Sequence, residues 1–356
     1  MDAPIKIDDF DNLNIRIRTL GYPNGGESVM ISLMDKEKAL QNVFIDNYEE
    51  NKFQYWLANL PTDTRIDAFI WTHPDEDHSL GVDTLLKHFD PERKAKIFLP
   101  TSLTRDLLTA NNKSASLPCY DYLKANYNRG RRYQWCEISL TDEEGIRFCY
   151  KREIISRKNN DRVTFKLGFM LPNGAVVNRR IDKPKMGSGE MNDLSLFCVA
   201  ELNKVRYIFS GDLAGINIQF LDEDYLNYCR FIKIPHHGSK DPIKLVEKIQ
   251  PLSSAIIQSE TKVFVPTHSV TTIYGSTHPY DEVLREYARK FNAVFSTGRG
   301  NHVYGLVDIS YSITDLSSYM IKLEGNAILY SLNGMLWPII PYNSYIFRAK
   351  PVHLFR

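Results

Sequence analysis

Residues 66–78 read IDAFIWTHPDEDH, a short apolar run followed at once by two histidines and three acidic residues. The run from Ile66 to Trp71 has the length and composition of a buried strand. His73, Asp75, Asp77 and His78 then offer four potential ligands within six residues. Imidazole with carboxylate is a ligand set that suits zinc, manganese or iron. This stretch predicts a metal site directly after a buried strand. The alternative is a solvated acidic turn in which the histidines are incidental.

Two other apolar runs end in residues of the same chemistry. Residues 206–212 (RYIFSGD) end at Asp212, and residues 231–239 (FIKIPHHGS) end in His236 and His237. Layered α/β proteins build their sites where buried strands end, so we expect the three segments to converge. Side chains alternate along a strand, which predicts that one of the two histidines, with His237 favoured, faces the site while its neighbour packs or hydrogen-bonds beneath it.

The composition is that of a globular protein with a large core. The chain has 356 residues, a formal net charge of +1 and 43% hydrophobic residues, which excludes a surface that coats nucleic acid or membrane throughout. Five cysteines, odd in number and without Cys-x-x-Cys, predict reduced and mostly buried thiols. An acidic N-terminus and the lack of a long apolar run lead us to expect a soluble, cytoplasmic protein without a membrane partner.

The quoted motifs resemble the metallo-β-lactamase superfamily, whose signature is His-x-His-x-Asp-His. They are most similar to the hydrolase domains of the ComEC DNA-uptake proteins, which read His-Pro-Asp-x-Asp-His, then Thr-Gly-Asp and Pro-His-His-Gly-Ser. Weaker matches occur along the chain from about Leu13 to Asp308, at Gly25-Gly26-Glu27-Ser28, Phe44-Ile45-Asp46, residues 192–196 and Thr277-His278-Pro279. The resemblance implies an α/β fold, the αββα sandwich of that superfamily, with two divalent metal ions, zinc or manganese.

The resemblance also implies roles for individual residues. His73 and Asp75 would bind one ion, Asp77 and His78 the other, and Asp212 would bridge them, with His236 and His237 as further ligands. The implied catalytic set is Asp77, Asp212, His237 and His278.

Two departures from the family pattern concern the first ion. Asp75 replaces the second histidine of the general signature, and no middle histidine precedes Gly211-Asp212, where the only candidates are Asn192, Asp193 and Ser195. Carboxylate in place of imidazole hardens the site and shifts its preference toward manganese or magnesium.

Several residues near these motifs have two interpretations. His278 is a ligand, a general acid or a neighbour of a helix cap, and His268 competes with it because it also follows an apolar strand. Ser239 and Lys240 either contact an anionic substrate or, in the case of Ser239, cap a helix. His302 is expected in a loop, and His88 and His353 at the surface.

The domain prediction is a hydrolase domain over residues 10–310, with a basic insertion at about 102–190 and an aromatic, β-rich extension at 311–356. The insertion contains Arg129-Gly130-Arg131-Arg132 and further basic pairs, interleaved with Tyr127, Tyr133, Trp135, Phe148 and Tyr150. Such a segment can bind phosphates and stack on bases, although a charge run is more often a solvated face. The aromatic extension is a candidate interface for a partner.

The expected function is a metal-dependent hydrolase of phosphodiester bonds in nucleic acid or nucleotides. Two metal ions held close together can activate a hydroxide and stabilise the attacking and leaving oxygens. Two alternatives are a hydrolase of another ester, such as a lactone, thioester or phosphocholine ester, and a non-catalytic binding protein that retains the fold. The missing middle histidine favours the second alternative.

Overall fold

A computed structural model describes residues 3–23, 25–48, 54–101, 103–127, 135–141, 145–181, 190–253, 264–274, 278–298, 304–336 and 345–348. Within these ranges the strands are β1 (Ile5–Ile7), β2 (Leu13–Gly21), β3 (Glu27–Asp35), β4 (Lys38–Ile45), β5 (Ala68–Ile70), β6 (Lys96–Pro100), β7 (Trp135–Ile138), β8 (Arg147–Ser156), β9 (Arg162–Leu171), β10 (Phe197–Leu202), β11 (Val205–Phe209), β12 (Cys229–Lys233), β13 (His268–Thr271), β14 (Ala293–Ser296), β15 (Gly305–Ser312), β16 (Tyr319–Gly325), β17 (Ile328–Leu332), β18 (Met335–Leu336) and β19 (Tyr345–Arg348).

The helices in the same ranges are short. They are α1 (Tyr55–Asn59), α2 (Glu76–Ser79), α3 (Val82–Phe89), α4 (Arg105–Ala110), α5 (Leu117–Tyr127), α6 (Gly174–Ile181), α7 (Leu245–Lys248) and α8 (Asp281–Lys290). Turns of 3₁₀ helix cover Glu190–Leu194, Gly215–Phe220, Glu223–Tyr225, His236–Gly238 and Asp241–Lys244. Of the described helices, none combines the length and the apolar character needed to cross a membrane.

The strands form two large mixed sheets. In the described residues the first sheet has nine strands in the order β19-β16-β15-β2-β3-β4-β5-β6-β7, and the second has ten in the order β1-β8-β9-β10-β11-β12-β13-β14-β17-β18. Strands β4, β5 and β6 of the first sheet run parallel to one another, as do β11, β12, β13 and β14 of the second. The carboxyl ends of each parallel group therefore share one edge of their sheet.

Side chains alternate between the two faces of each strand, and this determines which residues belong to which core. On β12, Phe231 belongs to the cluster shared by the two sheets, whereas its neighbour Ile232 packs with Val283 of α8 on the outer face of the second sheet. The outer face of the first sheet is covered in the same way, with Phe69 of β5 packing among helix residues such as Leu85. The protein is thus an α/β sandwich with two sheets face to face and helices outside them, and the predicted α/β class is confirmed.

The C-terminal strands extend both sheets. Strand β15 pairs with β2 and β16 in the first sheet, and β17 pairs with β14 in the second. The boundary expected at residue 311 lies inside β15, and Tyr311 and Tyr330 of the aromatic segment are buried, which removes these two rings from a candidate interface. Trp337 and Tyr342 lie outside the described residues.

The segment expected as a basic insertion also contributes to the main sheets. Strands β8 and β9 lie between β1 and β10 in the second sheet, and β7 is an edge strand of the first. Tyr127 is buried with its hydroxyl donating to Asp90, and Tyr150 is buried between the sheets. These two rings therefore cannot stack on bases. Residues 128–134, which include the arginine cluster, lie outside the described ranges.

Candidate metal centre

The predicted strand exits meet at one place. Thr72 to His78 follow β5 in the first sheet, and Asp212 and the adjacent histidines follow β11 and β12 in the second. Because each group of parallel strands ends at a single edge, the two sheets bring these segments face to face. The Nε2 atom of His78 lies 3.4 Å from Asp212 Oδ1, although 134 residues separate them in the chain.

Four buried side chains converge most closely. Ligand atoms of Glu27, His78, Asp212 and His237 all lie within 4.8 Å of one another, so this group can hold a metal ion. Asp77 reaches the same point, with its Oδ2 atom 3.1 Å from His237 Nε2 and 3.7 Å from His78 Nε2. Donors about 2.0–2.1 Å from a tetrahedral ion lie about 3.4 Å from one another, which matches these separations.

Glu27 faces the other side of the two imidazoles. Its oxygens lie 3.6 Å from His78 Nδ1 and 3.5 Å from His237 Nδ1, whereas Asp77 and Asp212 face the Nε2 atoms. Both Glu27 oxygens already have close donors, since Lys233 Nζ is 2.6 Å from Oε1 and the Thr272 hydroxyl is 2.6 Å from Oε2. We therefore assign Asp77, rather than Glu27, as a candidate ligand of the metal ion. Glu27 lies on the far side of the two imidazoles from that candidate position.

The hydrogen bonds of His78 and His73 fix their tautomers. Asp46 accepts from Thr72 Oγ1 at 2.6 Å and contacts His78 Nδ1 at 2.7 Å. A carboxylate can only accept, so His78 carries a proton on Nδ1. The Thr72 hydroxyl donates its single hydrogen to Asp46. It must therefore accept from His73 Nδ1, which lies 3.0 Å away.

The Nε2 atoms of these two histidines are turned toward the cluster. His73 Nε2, His78 Nε2 and Asp212 Oδ1 are buried and have no hydrogen-bond partner among the described residues. Buried polar atoms normally have hydrogen-bond partners. Several buried atoms without such partners at one point indicate a place where a metal ion can bind. With the proton on Nδ1, each neutral imidazole directs a lone pair into the site, the orientation that metal-binding histidines adopt.

A looser group lies beside the first. His73 Nε2 is 3.9 Å from Asp75 Oδ2 and 4.0 Å from Asp212 Oδ2, and His236 Nε2 is also 4.0 Å from Asp212 Oδ2. Asp75 is partly exposed and pairs with Lys113 at 2.5 Å. Asp212 contacts both groups, with Oδ1 near His78 and Oδ2 near His73, His236 and His237.

The adjacent histidines depart from the strand-alternation prediction. His236 and His237 do not continue β12 but occupy a 3₁₀ turn in which both have positive φ, 48° and 50°. In this left-handed turn both imidazoles face Asp212, His237 fully buried and His236 one-third exposed. The expectation that only one of them faces the site was therefore wrong, because alternation applies only to extended backbone.

His278 lies at the mouth of the site. Its ring stacks on that of His236 with centroids 6.4 Å apart and an angle of 12°. Burial, together with the neighbouring His236 and His237, lowers the pKa of His278, so its imidazole is neutral at neutral pH. A neutral imidazole fits a ligand or a substrate contact better than a general acid.

Asn192 and Ser195, two of the candidates for the position of the family's middle histidine, contact the cluster in different ways. The Asn192 amide nitrogen is 3.5 Å from His236 Nε2, and Asn192 Oδ1 is buried without a hydrogen-bond partner among the described residues. Ser195 Oγ accepts from the Asp212 backbone N–H at 3.1 Å and so helps to place that carboxylate.

The remaining candidates lie away from metal chemistry. His268 belongs to β13 and is buried against Phe295 and Tyr319, with its Nδ1 2.9 Å from the Tyr311 hydroxyl, so it is a core residue. Ser239 Oγ accepts from the N–H of Asp241, as a cap does, and Lys240 pairs with Glu282 at the surface. His88 is exposed as expected, whereas His302 and His353 lie outside the described residues.

Four residues of this site were missed as functional residues in the sequence: Glu27, Asp46, Lys233 and Thr272. A signal for two of them was present. Val29 and Ile31 of β3 face the inter-sheet core, which puts Glu27 on the same inner face, and Phe231 does the same for Lys233. Opposite charges at core-facing positions of two strands predict a buried ion pair.

Carboxylates and imidazoles lie close together in this cluster, and they shift one another's pKa values. Burial opposes the charge of His78 and His237, yet Asp212 and its acidic neighbours raise the pKa of His78 well above its usual value and that of His237 to about 9. Burial also opposes the charge of Asp77, but the histidines hold its pKa down at about 2. Burial and the nearby His78 lower the pKa of His73.

Compared with models of known protein families and with curated proteins, the chain matches none of them. The functional assignment therefore depends on the site itself.

Proposed function

We propose that this protein is a metal-dependent hydrolase with a metallo-β-lactamase fold and a two-ion centre, acting on phosphodiester bonds. The proposal is supported by the set of buried Nε2 and carboxylate atoms that converge at the edge of the sandwich without hydrogen-bond partners among the described residues. The first ion position uses His73, Asp75 and Asp212, and the second uses Asp77, His78, Asp212 and His237. The proposed cofactors are two divalent ions, zinc or manganese.

The two positions differ in their ligands. The second has two imidazoles and two carboxylates at separations of 3.1–3.7 Å, which suits zinc. The first is wider and offers one imidazole with carboxylates, and its spacing leaves room for His236 and for the oxygen of Asn192. An oxygen-rich position of this kind favours manganese.

The charge of the cluster supports an anionic substrate. Five carboxylates lie close together, and two lysines, Lys233 and Lys113, pair with two of them, which leaves three negative charges when the histidines are neutral. Two divalent ions carry four positive charges, so the loaded site has one positive charge in excess. The carboxylates involved are those of Glu27, Asp46, Asp75, Asp77 and Asp212. A hydroxide on the ions would balance that excess, and the two ions would still contact the charged oxygens of a phosphodiester more favourably than a neutral lactone or thioester.

The residues of the chain have distinct parts in the proposed reaction. Bound metal ions would supply a nucleophile at neutral pH and stabilise the charge that develops on the transferred group. Asp212, held by Ser195 and Lys233, keeps its two oxygens directed at the two positions. His278 and the half-exposed ring of Tyr274, 5.2 Å from that of His237, border the entrance where a substrate group would lie.

Metal analysis with a substrate panel tests the proposal. The chelated protein is reloaded with Mn²⁺ or Zn²⁺, its metal content is measured, and it is assayed on bis(p-nitrophenyl) phosphate, single- and double-stranded nucleic acid, cyclic nucleotides, a lactone, a thioester and a phosphocholine ester. We expect metal binding and phosphodiester cleavage. Asp77→Asn should reduce cleavage about 1,000-fold, since one carboxylate ligand carries several kcal/mol of transition-state stabilisation.

Asp83→Asn is the matched control, because Asp83 is a helix carboxylate close by in sequence that pairs with Lys87. It should leave cleavage unchanged. Metal binding with cleavage of the other esters alone would select the ester-hydrolase alternative, and metal binding without any hydrolysis would select the non-catalytic one. A protein that binds no metal would contradict the proposal altogether.

A further inference from the structure

A buried ion pair crosses between the two sheets directly beneath the metal position. Glu27 on β3 and Lys233 on β12 both point inward, and Lys233 Nζ lies 2.6 Å from Glu27 Oε1. Both side chains are essentially inaccessible to solvent, at 3% and 1% exposure. A pair this deeply buried gains little net stability over apolar residues of similar volume, so its position beside the cluster calls for another explanation.

The pair contacts three of the four residues at the second ion position. Lys233 Nζ is 3.6 Å from Asp212 Oδ1 and donates to the Gly211 carbonyl at 3.2 Å, so it holds both the Asp212 carboxylate and the backbone before it. Glu27 reaches the Nδ1 sides of His78 and His237. The Glu27 contacts lie on the sides of the two imidazoles that face away from the proposed ion, whereas Lys233 approaches the Asp212 oxygen that also faces His78.

Thr272 links Glu27 to His237. Its hydroxyl donates to Glu27 Oε2 at 2.6 Å and lies 2.9 Å from His237 Nδ1. Because the hydroxyl hydrogen is used on the carboxylate, Thr272 must accept from His237, which places a proton on Nδ1 and turns Nε2 toward Asp77, so that Nε2 carries the lone pair whenever the ring is neutral. The relay from Asp46 through Thr72 to His73 has the same order on the other side of the site.

We infer that Glu27, Lys233 and Thr272 form one positioning unit for the metal ligands: Lys233 orients Asp212, and Glu27 acts through Thr272 to fix the tautomer and direction of His237. The inference depends on the proposed metal centre but not on its substrate. None of the three residues contacts the ion or the reacting atoms, so they are positioning residues rather than catalytic ones.

Cobalt binding tests the inference without any assay of hydrolysis. Thr272→Val keeps the shape of the side chain but removes the hydroxyl, so His237 loses the acceptor that fixes its proton. We expect the dissociation constant for Co²⁺, measured by chelator competition, to rise about 10- to 100-fold, the usual effect of losing such a partner. The visible absorption of bound Co²⁺ should also change, which a purely structural role of Thr272 would not cause.

Thr271→Val is the matched control. Thr271 is the preceding residue, is equally buried, and uses its hydroxyl on the Thr272 carbonyl. Urea unfolding of both metal-free variants should show similar losses of stability, whereas only Thr272→Val should alter Co²⁺ affinity and absorption. Wild-type affinity and absorption in a folded Thr272→Val protein would overturn the inference.

A second variant covers the case in which Thr272→Val does not fold. Glu27→Met with Lys233→Met replaces the whole pair by apolar side chains of similar volume, a change that folded proteins often tolerate. It should weaken Co²⁺ binding by at least about tenfold because both Asp212 and Thr272 lose their partner. Unchanged Co²⁺ binding in the double variant would overturn the inference as well.

The outcomes separate this inference from the proposed function. Wild-type protein that binds Co²⁺ but hydrolyses none of the panel would remove the proposed hydrolase activity and leave the positioning unit testable and intact. Wild-type protein that binds no Co²⁺ would overturn both.

Discussion

Each histidine at the second ion position is held by a hydrogen bond to Nδ1 and surrounded by acidic groups. The carboxylates that would bind a cation also stabilise a proton on the same imidazole, and the pKa of His237 in the metal-free protein is raised to about 9. Protons and metal ions therefore compete for the same lone pairs. In the metal-free site these imidazoles carry a positive charge. A metal ion bound to their Nε2 atoms would require both imidazoles to be neutral.

This competition predicts how metal affinity depends on pH. His237 is protonated below about pH 9 in the folded, metal-free protein, so binding must release that proton. Affinity should therefore rise with pH, by about tenfold per pH unit for each proton released, and the contribution of His237 should level off above about pH 9. Calorimetry in buffers of different ionisation enthalpy would count the protons. A dissociation constant that stays constant between about pH 7 and 9 would contradict this.

At the scale of elements, the turn after β12 decides the direction of two ligands. His236, His237 and Gly238 all have positive φ, so the chain leaves β12 in a left-handed turn that aims both imidazoles at Asp212. Gly238 has no room for a side chain, since an added Cβ would lie 2.6 Å from Pro279 Cβ. Pro279 follows His278, so the same close approach positions the histidine at the entrance.

Gly238→Ala should therefore cost stability and metal binding together. A left-handed Ala costs about 1–2 kcal/mol, and the contact with Pro279 should add to that figure and displace the turn. Gly334 offers a matched control, because its φ is the same +76° and no atom of the described residues lies within 4 Å of an added Cβ. Gly334→Ala should show only the backbone cost in urea unfolding, with metal affinity unchanged. Equal losses in the two variants would show that the contact with Pro279 is unimportant.

At the scale of the whole molecule, the proposed metal centre lies where the two sheets meet at one edge. Asp77 and His78 lie in α2, which follows strand β5 of the first sheet, whereas Asp212 and His237 follow strands of the second. An ion held by all four would resist separation of the sheets, and it would neutralise carboxylates that otherwise repel one another. The rest of the sandwich has large cores between the sheets and on both outer faces, so we expect folding not to depend on an ion.

Metal removal should therefore destabilise the protein without unfolding it. At an Mn²⁺ concentration of about 100 times the dissociation constant, the free energy of unfolding should be about 2.7 kcal/mol higher than with a chelator. Mn²⁺ is preferred to Zn²⁺ here because the five thiols of the unfolded chain would bind zinc. Urea unfolding measures the difference. Asp77→Asn should show a much smaller difference, and an equal one would place the ion elsewhere.

The sequence alone determined which residues are candidates and where each stands along its strand. Histidines and acids after β5, β11 and β12 were predicted because an apolar run and its polar end are neighbours in the chain. The α/β class followed from the resemblance that these motifs carry to a known superfamily. These features depend on contacts between nearby residues, and short-range patterns report such contacts.

Only the tertiary structure decided which of these residues meet and what holds them. Glu27 and Lys233 are 206 positions apart, and their pairing requires two sheets to face each other in one register. The left-handed turn at His236 and His237, and the addition of β15 to β17 to both sheets, likewise depend on packing partners far away in the chain. The register between strands that are distant in the chain depends on many core contacts together. It therefore cannot be predicted from any short stretch of sequence.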